Sequence, residues 1–312
     1  MDEQVVTMIN EMVAKARAAQ KEFESFSQEK TDEVVRAIGK VVYDRAEELA
    51  RMACEESGMG VYADKVAKCH GKSKCIWNSL KGKKSVGIIG EDKEIGIIRV
   101  AKAKGVVGSV TPVTNPVVTP MCNAMFALKG QNAIIVAPHP RTQNVNKYVV
   151  DLFRAELAKL GAPVDLIQTV EKSSIDATNA LMQSVDVVVA TGGAGMVKSA
   201  YSSGKPALGV GPGNVQVIVD RGVELEEAIP KIISGRIPHG EALLRVGTLA
   251  NGEKLLTVGY VYGGQLSKAS CQVKITLPAG LLEGHTLSLL AEDGTETELT
   301  DVQDGSFVLD FS

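Results

Sequence analysis

Apolar residues in the first eighty positions recur at helical spacing. Val5, Ile9, Met12, Val13, Ala16, Phe23 and Phe26 form one stripe with charges between them, so that face seeks a core. A second helix is predicted with Thr31 as its N-cap, carrying Val34, Val35, Ile38, Val41, Val42, Ala46 and Leu49 until Gly58 and Gly60 stop it. A third covers about 61–80 and holds the only tryptophan, Trp77. Over 85–110 the period changes to short β-branched runs, Val86-Gly-Ile-Ile-Gly and Ile95-Gly-Ile-Ile-Arg-Val, which predict a hairpin.

Beyond Gly105 strand and helix patterns alternate. A strand at 106–111 leads to Asn115 and Pro116, an N-cap and a proline at the first helical position, opening a helix to Leu128. Strands follow at 132–137, 166–169 and 185–190. Helices are predicted at 143–160, closed by Gly161, and from the capping pattern Ser173-Ser174-Ile175-Asp176. Such alternation specifies an α/β fold, a Rossmann-like parallel sheet with helices on both faces. Ligands of these sheets sit beyond the carboxyl ends of the strands, where 111–115, 137–140 and 191–193 all fall.

The stretch 185–220 concentrates this chemistry. Val-Asp-Val-Val-Val-Ala passes directly into Thr191-Gly192-Gly193-Ala194-Gly195, and free N–H groups at a helix start beside bare glycines favour a phosphate. A glycine turn without a ligand has the same pattern. Gly209-x-Gly211-x-Gly213 imitates part of a dinucleotide fingerprint, but a strand is predicted after it, which is the wrong context. After Arg236 short strand-like runs with turns at Asn251-Gly252, Asp293-Gly294 and Asp304-Gly305 read as an antiparallel meander. The predicted organisation is N-terminal helices and a hairpin over 1–105, an α/β domain over 106–236, and a C-terminal antiparallel β domain over 237–312.

Composition narrows the partners. A chain of 312 residues holds a core that folds without disulfides or metals. A net charge of -3 with both signs mixed offers no basic face, so nucleic acid is not expected. No apolar run approaches the roughly 18 residues that span a bilayer, and the Met-Asp-Glu-Gln start lacks signal-peptide features. A cytoplasmic location without a membrane partner is expected. Five cysteines with no Cys-x-x-Cys pair point to reduced thiols, and the cluster Cys69, His70 and Cys75 reads as a helical face rather than a metal site.

Four segments together carry a resemblance: Gly-Val-Val-Gly-Ser-Val-Thr-Pro-Val-Thr-Asn-Pro at 105–116, Ile-Ile-Val-Ala-Pro-His-Pro-Arg at 134–141, Ala-Thr-Gly-Gly-Ala-Gly at 190–195 and Gly-Val-Gly-Pro-Gly-Asn at 209–214. Over 1–236 the chain resembles the aldehyde dehydrogenase superfamily, in its coenzyme A-acylating branch. The resemblance implies an oxidoreductase in which a cysteine thiolate attacks an aldehyde, hydride passes to NAD or NADP, and coenzyme A takes the acyl group. It implies Asn115 as the oxyanion-hole donor, an effect worth roughly 3 kcal/mol in a water-excluded site, although a helix N-cap is the other role open to it. It further implies that Thr111 borders the cofactor crevice and that Thr191, Gly192 and Gly193 border the pyrophosphate. Ala137, Pro138 and His139 fall beside the adenosine ribose, with an ordinary turn role also open to His139, and Gly161 and Ala162 at the turn flanking adenine. Gly209 stands where hydrolytic members carry a general-base glutamate. A small residue there leaves room for coenzyme A and favours thioester transfer. The 85–110 hairpin matches a segment that often builds subunit interfaces, which implies a homo-oligomer.

The resemblance breaks after Gly235-Arg236. Counting onward places Leu244 where the nucleophilic cysteine belongs, and a leucine forms no thioester. Cys122 falls inside a predicted helix, and Cys271 on a predicted strand well past the expected spacing. The expectation is a truncated cofactor-binding part fused to an unrelated β tail at 237–312. A second reading makes the chain a non-catalytic binding or interaction protein whose tail is the working module, with Tyr260 and Tyr262 as its aromatic cluster.

Overall fold

A computed structural model describes residues 2–211 and, past them, the backbone of seven strands between Glu241 and Phe311. The chain divides into two compact units, Met1–Gln216 and Val217–Ser312. The first begins with helices α1 (Glu3–Phe23), α2 (Gln28–Asp44), α3 (Ala46–Ser57) and α4 (Tyr62–Leu80). The apolar stripe of α1 is buried at Ile9, Val13, Ala16 and Phe23, as its periodicity requires. The predicted start at Thr31 is corrected: the Ser27 hydroxyl accepts from the Lys30 N–H at 3.2 Å, so α2 begins four residues earlier and Thr31 lies buried within it. Arg45, with φ of -111°, breaks the single predicted helix into α2 and α3. On α4, His70 lies against the Tyr43 ring, Cys69 is buried and Cys75 is exposed, so the Cys/His cluster is spread around a helix.

Strands β1 (Ile88–Asp92) and β2 (Ile97–Val100) form the predicted antiparallel hairpin. Its isoleucines are open to solvent within this chain, Ile88 at 60% and Ile98 at 58% exposure.

The alternating region follows as β3 (Val106–Val110), α5 (Val118–Lys129), β4 (Ala133–Ala137), α6 (Gln143–Lys159), β5 (Ile167–Thr169), α7 (Ile175–Ser184), β6 (Val187–Thr191), α8 (Ala194–Tyr201) and β7 (Ala207–Val210). The five strands form one parallel sheet in the order β5-β4-β3-β6-β7. Every residue of β3 and β4 is buried, which is why these strands read as unbroken apolar runs. The chain starts in the middle of the sheet, works out through β4 to β5, then returns to lay β6 against the free side of β3. That reversal opens a crevice at the carboxyl ends of β3 and β6.

In the second unit β8 (Glu241–Thr248) pairs with β9 (Lys254–Tyr262) and β9 with β10 (Gln265–Leu266), all antiparallel. Strand β11 (Cys271–Thr276) pairs with β14 (Ser306–Phe311), while β12 (Ser288–Leu290) pairs with β13 (Glu296–Glu298). The predicted meander is corrected here, because β14 returns to β11 rather than continuing from β13. Turn dipeptides mark where a chain bends, not which strand it then joins. The turn residues Asn251-Gly252, Asp293-Gly294 and Asp304-Gly305 lie outside the described residues.

Candidate functional site

The carboxyl ends of the parallel strands are tied by backbone bonds that continue the ladder. Thr111 N donates to Ala137 O at 3.1 Å, Val170 N to Val136 O at 2.8 Å, and Gly192 N to Val210 O at 3.1 Å. The loops after β3, β4 and β6 therefore leave from fixed points on one edge. Thr111 is 3% exposed, and its Oγ1 has no hydrogen-bond partner. Ser173, beyond the end of β5, has a buried unpartnered Oγ as well. Among the described residues these are two of only three such side-chain oxygens, so the unmet polar demand concentrates at this edge.

The loop after β6 is bare. Gly193 caps α8 with φ of -65° and ψ of 162°, a conformation open to any residue, and a Cβ built on it meets nothing within 4 Å. At Gly192 a Cβ meets only Met196, no nearer than 3.6 Å. No side chain caps α8, so its first N–H groups and the positive end of its dipole face the space that the missing side chains leave. Open backbone donors of this kind suit an anionic group.

After β4, Ala137 and Pro138 are buried and His139 is half-buried. The His139 Nδ1 accepts from the Arg141 N–H at 3.2 Å and caps the short 3-10 turn Pro140–Thr142. Burial and the Arg141 charge hold its pKa below the ordinary value. The neutral ring consequently carries its proton on Nε2.

The loop after β3 holds Asn115, and here the predicted cap is corrected. Helix α5 begins at Val118, and although the Asn115 carbonyl accepts from Thr119 N at 3.2 Å, its side chain caps nothing. Asn115 Oδ1 instead accepts from Lys68 Nζ at 3.2 Å, and Nδ2 donates to Thr114 Oγ1 at 3.2 Å. One turn back on α4, Lys65 Nζ donates to the Thr114 carbonyl at 3.0 Å. Lys65 is 9% exposed, and burial pushes its pKa down. Sequence reasoning missed both lysines, since no local pattern links residues 47 and 49 positions apart.

Two predicted residues are not brought to this edge. Gly161 and Ala162 join α6 to β5, which puts them at the amino end of the strand, the opposite edge of the sheet from the crevice. They close α6 in a Schellman motif: Gly161 takes φ of +65°, Ala162 N donates to Leu157 O at 2.9 Å and Gly161 N to Ala158 O at 3.1 Å. Gly209 has its own packing constraint. It lies within β7, paired with Ala190, and a Cβ there would come within 2.7 Å of Val197 and 2.9 Å of Tyr201. The room beside Gly209 is filled by α8, so close helix packing explains the glycine.

Three of the described cysteines, Cys54, Cys69 and Cys122, are held as thiols. Burial pushes the thiols of Cys69 and Cys122 up to about 11, and that of Cys54 upward as well, so none is a thiolate near neutrality. Cys271 starts β11 and Leu244 lies in β8, where only the backbone is described. Among the described residues no three His, Cys, Asp or Glu side chains gather to hold a metal, and no helix is long and apolar enough to cross a membrane.

The sheet is doubly wound, and α/β proteins of this architecture bind their ligands at the switch point. The profile of the aldehyde dehydrogenase family matches residues 3–240, and the chain belongs to that family. It is 60% identical over 228 residues to the acetylating succinate-semialdehyde dehydrogenase of Clostridium kluyveri, covering 73% of this chain and 50% of the relative. It is 40% identical over 233 residues to the bifunctional aldehyde-alcohol dehydrogenase AdhE of Escherichia coli, covering 74% of this chain and 26% of the relative. Among solved structures, an acetylating aldehyde dehydrogenase from Geobacillus thermoglucosidasius matches with a TM-score of 0.72 and 37% identity, over 75% of this chain and 52% of that one. The chain thus spans half the length of the first relative.

Proposed function

We propose that this chain is the cofactor-binding part of a coenzyme A-acylating aldehyde dehydrogenase, an NAD- or NADP-dependent oxidoreductase that converts an aldehyde and coenzyme A to an acyl-CoA. The observation that carries the reading is the carboxyl edge of the sheet at the switch point, where α8 starts without a side-chain cap beside open glycines and the buried Thr111 hydroxyl has no partner. When bound there, NAD(P) supplies the hydride acceptor. Thr191, Gly192 and Gly193 border its pyrophosphate, which the uncapped N–H groups at the start of α8 hold, Thr111 lies at the same edge, and Ala137, Pro138 and the neutral His139 flank the adenosine ribose. Asn115 Nδ2 donates toward the aldehyde oxygen as negative charge develops on it. The exposed isoleucines of the β1–β2 hairpin support a homo-oligomer, and free cysteines support a reducing, cytoplasmic setting.

On this reading Leu244 stands where the nucleophile is expected and the acyl-transfer step is missing, in keeping with a family match that ends at residue 240. NADH fluorescence on titration tests the cofactor site. Saturable binding is expected, and none up to millimolar NADH or NADPH would reject it. Turnover of succinate semialdehyde with NAD and coenzyme A would reject the missing step.

A further inference from the structure

Lys65 and Lys68 are the groups that this reading leaves unused. Both reach from α4 to the same loop, one to a backbone carbonyl and one to the Asn115 amide. Neither has a carboxylate partner among the described ion pairs, which run elsewhere on the surface. Lys65 is 9% exposed as a residue and has no carboxylate partner among the described ion pairs, and its ammonium donates instead to Thr114 O.

We propose that Lys65 and Lys68 are positioning residues for Asn115, fixing which end of its amide is presented as a donor. This rests on the reading of Asn115 as the oxyanion donor. The chemistry of the contacts enforces the choice: a lysine only donates, so the atom facing Lys68 must be Oδ1, and Nδ2 becomes the outward end. One Nδ2 hydrogen goes to Thr114 Oγ1, and the second meets no acceptor among the described residues. Lys65 meanwhile holds Thr114 from its carbonyl, so the residue that anchors Nδ2 is itself anchored. The cation on Oδ1 also polarises the amide, strengthening the remaining N–H as a donor. Rotation of the side chain by half a turn would place two N–H groups against Lys68, which the charge forbids.

The full chain labelled with 15N-asparagine tests this, with Asn115→Ala assigning the Asn115 side-chain amide. In the wild type that amide is expected to be as ordered as rigid backbone, with an order parameter of about 0.85. Lys68→Met should drop it below about 0.6, Lys65→Met should lower it less, and Lys68→Arg should restore it. NADH affinity should stay within about twofold in all three, because the lysines act on the loop rather than on the cofactor. An Asn115 amide that stays ordered in both Met variants would overturn the inference while leaving NADH binding intact. A clamp signature in a wild-type chain that fails to bind NADH would instead sink the proposed function. A Lys68→Met chain with tenfold weaker NADH binding would make Lys68 a cofactor ligand and not a positioning residue.

Discussion

The two edges of the parallel sheet are built to opposite rules. At the amino edge each polar group is answered: Asp186 accepts from Val106 N at 2.8 Å and pairs with Arg17 at 3.0 Å, while Asn132 Oδ1 accepts from Lys104 N and Gly105 N at 2.6 and 3.0 Å. Burial alone would raise the Asp186 pKa, but the Val106 N–H and Arg17 outweigh it and hold the carboxylate ionised. At the carboxyl edge, Thr111 and Ser173 carry orphaned hydroxyls, Gly193 faces open space and α8 has no side-chain cap. The amino edge spends its polar groups on holding strands together, whereas the carboxyl edge keeps them free for something else. Changes at the first should therefore cost stability alone, and changes at the second should cost binding alone.

The largest expected effect belongs to the amino edge. Gly105 has φ of +123°, and a Cβ there would lie 2.2 Å from Asp186 Oδ2. Gly105→Ala is expected to lose about 3 kcal/mol from backbone strain and displacement of the carboxylate. Urea denaturation reads the loss, and NADH affinity of the folded fraction should be unchanged. A loss under about 1 kcal/mol would mean that Asp186 moves aside freely and that the amino edge is less tightly built than its bonds suggest.

Gly193→Val inverts that outcome. With nothing within 4 Å of the added carbon and an ordinary backbone, the remaining cost is a poorer N-cap residue, so stability should fall by no more than about 1 kcal/mol. The same carbon would occupy the approach to the N–H groups of α8, and NADH binding should weaken about tenfold, or about 1.4 kcal/mol. Unchanged binding would move the pyrophosphate away from this loop.

The contrast between edges was partly legible in the sequence. Strands β3 and β4 announced themselves because burial on both faces leaves no polar alternation to misread, and the hairpin showed in its β-branched runs. The misread helix start at Thr31 arose because Ser27 offers an equivalent hydroxyl four residues earlier, and propensity alone does not rank them. Gly161 was correctly read as a helix stop, and the resemblance also set it beside the cofactor. Its edge follows from chain direction, since a helix-to-strand turn in a parallel sheet always returns to the amino end. The role of Gly209 depended on Tyr201 folding back over it, and the clamp on Asn115 on two lysines of a distant helix. Such contacts belong to tertiary packing and leave no periodicity behind.

Thr111→Val gives the smallest effect and the sharpest discrimination. Valine keeps the shape of threonine and the β-branched preference of a strand end, and removes only the hydroxyl. Because Oγ1 is buried without a partner, its removal should leave the chain as stable or raise its stability by about 1 kcal/mol, where loss of a bonded hydroxyl would lower it. If the hydroxyl is held for the cofactor, NADH binding should fall about threefold to tenfold, the range for one neutral hydrogen bond. Thermal denaturation without and with NADH reads both quantities in one pair of scans: the variant should melt no lower than wild type alone, and gain less from the nucleotide. A lower melting point without NADH would show the hydroxyl bonded in the free chain, and an equal gain with NADH would show that the ligand never meets it. Either result would erase the difference between the two edges at the residue where it is most exposed to test.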